Sequence, residues 1–188
     1  GELQEGETAT ITIGLTDVDT TSADYASFTD AVDAAVAAYS GAGTVAFDDG
    51  TGVLTYTGGA GGTTLTALVI DLDAVDDNLV EGPEDYTVSL SGAGSGTGAS
   101  VTGSGSITTT ITDNDTATWS LAGSAGVTET GPGTASYTVS LAGELQEGET
   151  ATITIGLTDV DTTSADYASF TDAVDAAVAA YSGAGTVA

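Results

Sequence analysis

The reading of this chain turns on Thr8-Ala-Thr-Ile-Thr-Ile-Gly-Leu-Thr-Asp17. Ala9, Ile11, Ile13 and Leu15 alternate with Thr8, Thr10, Thr12 and Gly14. That two-residue period predicts a β-strand with one buried face. The same ten residues return as Thr150–Asp159. The identity extends on both sides: Gly1–Ala46 recurs without a change as Gly143–Ala188, an offset of 142 residues. Perfect identity over such a length predicts a slice of a tandem array of near-identical units.

Outward from this stretch, alternation dominates. Tyr86, Val88 and Leu90 form one set, and Ile107, Thr109 and Ile111 a weaker one. Ala117, Trp119 and Leu121 form another, as do Tyr137, Val139 and Leu141. Leu65–Leu72 is a more continuous apolar run, which fits a central strand. Asp48-Asp-Gly-Thr-Gly52 lies between the strand-like Thr44–Phe47 and Val53–Tyr56 and reads as a hairpin turn. The Gly-rich stretches 58–62, 92–98 and 123–133 read as loops. One segment differs. Phe28, Val32, Ala35, Val36 and Tyr39 fall at helical spacing, Ser27 and Asp30 resemble a capping box, and Gly41 is a stop. The expected fold is therefore mainly β, an antiparallel sandwich of seven or eight strands with one inserted α-helix per repeat. Thr112-Asp-Asn-Asp-Thr116 is the natural boundary. Residues 1–115 then form the later part of one repeat, lacking its first two strands, and 116–188 the early part of the next.

The charge balance is one-sided. There are 28 Asp and Glu, no Lys, Arg, His, Cys or Met, and a formal charge of −28. Thiol, imidazole and amine catalysis are excluded for these side chains, as are zinc sites built on Cys or His and any disulfide. Nucleic acid is disfavoured, because nothing neutralises phosphate. No apolar run reaches membrane length. Disorder is disfavoured too, since 40% of residues are hydrophobic and fall in ordered patterns. An enzyme would be restricted to carboxylate chemistry without an oxyanion stabiliser, and none is expected. Two carboxylates about 4 Å apart repel by ~1 kcal/mol even in bulk water. A fold built on so many needs cations from solution, and hard divalent ions with oxygen ligands, Ca²⁺ first, are the expected cofactor.

The carboxylates gather at strand ends. Asp71, Asp73, Asp76, Asp77 and Glu81 form one cluster, Asp113 and Asp115 a second, and Asp17, Asp19 and Asp24 a third that returns as Asp159, Asp161 and Asp166. Glu129 lies in a Gly-rich loop. The spacing is not that of an EF-hand, because Asp73-Ala-Val-Asp76 lacks its alternating acids. Asp113 and Asp115, two apart on an extended end, point the same way.

Asp76-Asp-Asn-Leu-Val-Glu-Gly-Pro-Glu-Asp-Tyr-Thr-Val-Ser-Leu90 resembles the hallmark of Calx-beta domains, an Asp-Asp-x-x-x-Glu-Gly segment leading into a strand. Ile111–Asp115 resembles the terminal strand of that family, Val127-Thr-Glu129 its early Val-x-Glu, and Ala165-Asp-Tyr167 (with Ala23-Asp-Tyr25) its Asp-Tyr segment. The inserted helix departs from the family pattern. The resemblance implies a calcium-binding Greek-key, immunoglobulin-like sandwich. It implies Asp76, Asp77, Glu81, Asp113 and Asp115 as ligands, completed by Glu129 and Asp166 or Asp24; Asp73 joins the candidates through its cluster. Long Cys-free arrays of this kind look like extender regions of type I secreted, RTX-type bacterial surface adhesins. The expected function is a Ca²⁺-stabilised spacer, secreted to the cell surface, with a Ca²⁺-sensing or ligand-binding module as the alternative.

The expected partners are neighbouring repeats and other copies of the chain. The first and last strands of such a unit end at opposite poles, ~35–40 Å apart. About three free residues span at most ~10 Å. Residues 116–188 are therefore expected to complement 1–115 of another chain, as a swapped dimer or polymer.

Overall fold

Strand β1 (Thr8–Asp17) forms where β-branched Thr and Ile alternate with small residues. It lies at the centre of a five-stranded sheet in a computed structural model that describes residues 1–131 and 133–188. The other strands are β2 (Thr44–Asp48), β3 (Val53–Thr57), β5 (Glu84–Ser95) and β6 (Gly105–Ile111), in the order β2-β3-β1-β5-β6, all antiparallel. Among the described residues the chain is mainly β, with two helices, and it divides into compact units Gly1–Thr150 and Ala151–Ala188.

Register collects the apolar side chains on one face. Ile11 lies opposite Leu54, Ile13 opposite Leu90, Leu15 opposite Val88, Phe47 opposite Leu54 and Val88 opposite Ile107. Directly opposed residues share a face, so these form one apolar surface. Ile13, Leu54, Tyr56 and Tyr86 are buried on it. The β2–β3 hairpin turns where Asp48 accepts the Gly52 N–H at 2.8 Å. Gly52 has φ +67°, and the Ile13 carbonyl lies where a side chain would begin. Glycine is needed there on both counts.

Helix α1 (Phe28–Ala38) occupies the position read from its spacing, and Ser27 Oγ accepts the Asp30 N–H at 3.2 Å. Val32 and Ala35 are buried, and Phe28 shares a cleft with Ile13, Leu15 and Phe47. Outside the large sheet, β7 (Thr118–Gly123) and β8 (Tyr137–Ala142) form an antiparallel hairpin, while β4 (Leu79–Val80) pairs in parallel with β9 (Glu144–Leu145). The unit Ala151–Ala188 holds helix α2 (Phe170–Ala179), again capped by Ser169.

Two expectations are corrected. Leu65–Leu72 is not a strand. A central strand needs a ladder on each side, and among the described residues no backbone N–H of this run donates to another backbone group. Residues 92–98 are not simply loop either. Strand β5 continues to Ser95 through a bulge, because Thr10 faces Gly94 while Thr12 faces Ser91. The extra residue is accommodated by Gly92 at φ +62°.

Candidate metal centre

Three elements of the Gly1–Thr150 unit deliver carboxylates to one place. The first is the loop after β1. Its backbone is held by a single carbonyl, that of Asp85, which accepts from the N–H groups of Val18, Asp19 and Thr20 at 3.0, 3.1 and 3.4 Å. Asp17 Oδ1 accepts from the Tyr25 hydroxyl at 2.6 Å and the Thr20 hydroxyl at 3.0 Å. The loop closes on Asp24, whose Oδ2 accepts the Thr21 N–H, and Asp24 is buried. Tyr25 stacks at a tilt on Tyr86, with 5.3 Å between ring centres. Burial and the bond to Asp17 push its phenol up to about 12.

The second element runs from β4 into β5 and supplies Glu81 and Glu84. Glu84 is buried because it precedes Tyr86, Val88 and Leu90 on the inward face. Oxygens of Asp24, Glu81 and Glu84 all lie within 4.8 Å of one another. Burial raises the Glu81 carboxyl above its ordinary range, and Glu84, Asp77, Asp24 and Asp113 add repulsion. Burial also raises Glu84; Asp24 adds to this, and the Gln146 amide opposes it.

The third element is the end of β6. Asp113 accepts the Glu81 N–H on Oδ2 and the Asp115 N–H on Oδ1, both at 2.8 Å. These two bonds hold its carboxyl below the usual range. Asp115 is raised, first by burial and then by Asp113, Asp76 and Asp77. Asn114 donates to Asp76 Oδ1 at 2.9 Å, and Asp77 Oδ1 accepts the Leu79 N–H at 2.8 Å.

Of the residues singled out in the sequence, Asp24 and Glu81 meet directly. Asp113 joins them through the Glu81 backbone, and Asp76, Asp77 and Asp115 lie around Asp113. Asp73 meets the Asp24 loop through its backbone, where its carbonyl accepts the Ala26 N–H at 2.8 Å. Glu129 lies exposed between β7 and β8 and is not part of the carboxylate trio. Asp166 belongs to the Ala151–Ala188 unit, where it accepts from the Thr163 N–H and hydroxyl.

Sequence reasoning missed two members. Glu84 could have been found, since its even spacing with Tyr86 and Val88 turns it inward. Gln146 carried no signal. It donates to Glu81 Oε1 at 2.8 Å and to Glu84 Oε1 at 3.4 Å, and β9 brings it there by pairing with β4.

The donor set fits a hard cation. It is all oxygen, as Ca²⁺ and Mg²⁺ require. Two oxygens bound to one Ca²⁺ at ~2.6 Å can be no more than ~5.2 Å apart, and the trio meets that limit as it stands. Comparison with family models, with curated proteins and with solved structures finds no match.

Proposed function

We propose that this chain is part of a Ca²⁺-stabilised structural repeat, a spacer in a secreted bacterial cell-surface adhesin. In this reading each 142-residue period completes an immunoglobulin-like Greek-key sandwich of the Calx-beta type. One observation carries it: Asp24, Glu81 and Glu84 converge, braced by Asp113, in a sequence with no Lys, Arg or His. Without a cation that convergence is repulsive. With Ca²⁺ the three carboxylates supply part of a six- to eight-oxygen shell. The ion would also tie the loop after β1 to the start of β5, where the Glu81 N–H already holds Asp113 at the end of β6. Perfect repetition adds length more directly than it adds specificity, which favours a spacer over a sensor.

The test is thermal unfolding in Ca²⁺, in EDTA, and in NaCl at matched ionic strength, on wild type and Asp24→Asn. At a free Ca²⁺ of about 100 Kd, one site adds ~2.7 kcal/mol of stability. We expect that gain in Ca²⁺ alone, and its loss in Asp24→Asn. Equal stability in all three buffers overturns the metal. A gain that survives Asp24→Asn moves the ion away from this trio.

A further inference from the structure

Two largely apolar surfaces of this molecule are partly open. The first is the hairpin β7–β8. Trp119 lies opposite Leu141, Leu121 opposite Val139, and Gly123 opposite Tyr137, so one face is wholly apolar. The other face carries Thr118, Ser120, Thr138 and Ser140, with Ser120 and Ser140 hydrogen-bonded at 2.7 Å. The apolar face is open at one end, with Leu121 69% and Tyr137 62% exposed, while Trp119 and Leu141 are half-buried. Trp119 Nε1 is buried with no hydrogen-bond partner among the described residues. A two-stranded hairpin is marginal alone, and a buried donor without a partner is unfavourable.

The second surface lies where β5 and β6 leave the apolar face of the large sheet uncovered. Ile107 is 72% exposed there. Tyr86, Val88 and Ile107 line an open cleft of roughly 450 Å³ with Ile70 and Leu72, and Asp71 and Asp73 line it too. Leu68, Ile70 and Leu72 are half-buried while Val69 and Asp71 are exposed, the alternation of a strand. Yet this run has no ladder, and among the described residues its carbonyls accept from no backbone N–H.

We infer that the two surfaces are the donor and acceptor of one exchange between copies of this chain. The β7–β8 hairpin of one copy lays its edge along 65–72 of another and its apolar face over the β5–β6 cleft. Charge selects this occupant. Residues 86–112 contain no carboxylate, and 116–142 contain only Glu129, in a chain with 28 acids. The hairpin brings a single acid to an acceptor whose β5–β6 side carries none and whose lining includes Asp71 and Asp73, so two such anionic molecules touch here with little repulsion, and the hairpin offers a basic foreign partner little to hold. Area is sufficient too. The exposed Leu121, Val139 and Tyr137, at about 100 Å² each, cover ~300 Å². Counted on both partners and at both places of a reciprocal exchange, that is ~1,200 Å², the lower end of stable interfaces. The inference is independent of the metal proposal.

The absence of cysteine makes the test clean. Val69→Cys and Val139→Cys chains are mixed and joined with a flexible bis-maleimide, in Ca²⁺ and in EDTA. Light scattering gives the mass of the untreated wild type. We expect a covalent species containing one chain of each kind. We also expect a wild-type mass of two chains or more, falling to one chain in Leu121→Asp/Val139→Asp with the far-UV signature of the remaining fold retained. A wild-type monomer at all concentrations overturns the inference. So does a Val69→Cys/Val139→Cys double variant that links within one chain in preference to between chains, since the hairpin then closes on its own copy. The mixing experiment decides the matter even if the aspartate variant fails to fold.

Discussion

Residues 1–46 and 143–188 are the same sequence in two surroundings, and they do not adopt the same structure. Thr8–Asp17 is the central strand of the large sheet, while Thr150–Asp159 has no strand. Ile13 is 7% exposed and its copy Ile155 is 44% exposed. The helix forms in both, at Phe28–Ala38 and Phe170–Ala179, but Val32 and Ala35 are buried in the first and no residue is buried in the second. What recurs is local. Tyr25 donates to Asp17, and Tyr167 to Asp159. The caps on Ser27 and Ser169 match, as do the Tyr39 and Tyr181 hydroxyl bonds to the carbonyls of Ala42 and Ala184. What differs needs a distant partner: β3 and β5 for the strand, the Asp85 carbonyl for the loop after it. Helices and turns carry their hydrogen bonds within a few residues, whereas a strand borrows its own from elsewhere in the chain.

The largest effect that can break this contrast is a cavity. Ile13→Ala removes a buried side chain facing Leu90, and we expect it to cost about 2–5 kcal/mol. The identical substitution Ile155→Ala should stay within ~0.5 kcal/mol, as at an exposed site. Urea unfolding followed by circular dichroism measures both. Equal costs would mean that the second copy finds a sheet in solution.

The same contrast explains what was legible in the sequence. Strand β1 and helix α1 could be read because period and capping are properties of ten or so consecutive residues. The run 65–72 was misread because an apolar run reports burial but not who supplies the ladder. At the candidate metal centre, Asp24, Glu81 and Asp113 stand out as acids at strand ends. Glu84 was hidden at the head of a strand whose other inward residues are apolar. Gln146 was invisible because it comes from the second copy, through a two-residue parallel pairing that no local pattern announces.

Acid sharpens the comparison by sign rather than size. Asp24 and its copy Asp166 each accept the N–H three residues back, but Asp24 also lies beside Glu81 and Glu84. Glu81 and Glu84 have raised carboxyls in the fold. A raised folded value means that the folded state holds more protons than the unfolded one in that window, so stability falls as pH rises through it. Metal-free protein should therefore gain stability as pH drops through these raised values, with the gain complete below the ordinary 4.5. Asp113, held low, works the other way at more acid pH, below 3.8. Saturating Ca²⁺ should reverse the first trend, because protonated carboxylates no longer coordinate. Melting temperature against pH, with Ca²⁺ and with EDTA, reads the sign. Parallel curves would remove the ion from the trio.

The smallest effect tests the local half of the contrast. Ser27 Oγ and Ser169 Oγ each accept the N–H three residues on, at 3.2 Å in both copies. Replacing an N-cap serine with alanine leaves that donor to water and costs about 1 kcal/mol. In the first copy the helix is tied to the core through Val32, so Ser27→Ala should lower the unfolding free energy by that amount while leaving the helix formed. In the second copy nothing buried holds the helix. A ten-residue helix is marginal by itself, so Ser169→Ala should appear instead as loss of helical signal before any unfolding. Hydrogen exchange separates the two readouts, since it reports each helix by its own amides. If both substitutions only lower global stability, the second helix has a tertiary partner in solution, and the two copies are more alike than their burial indicates.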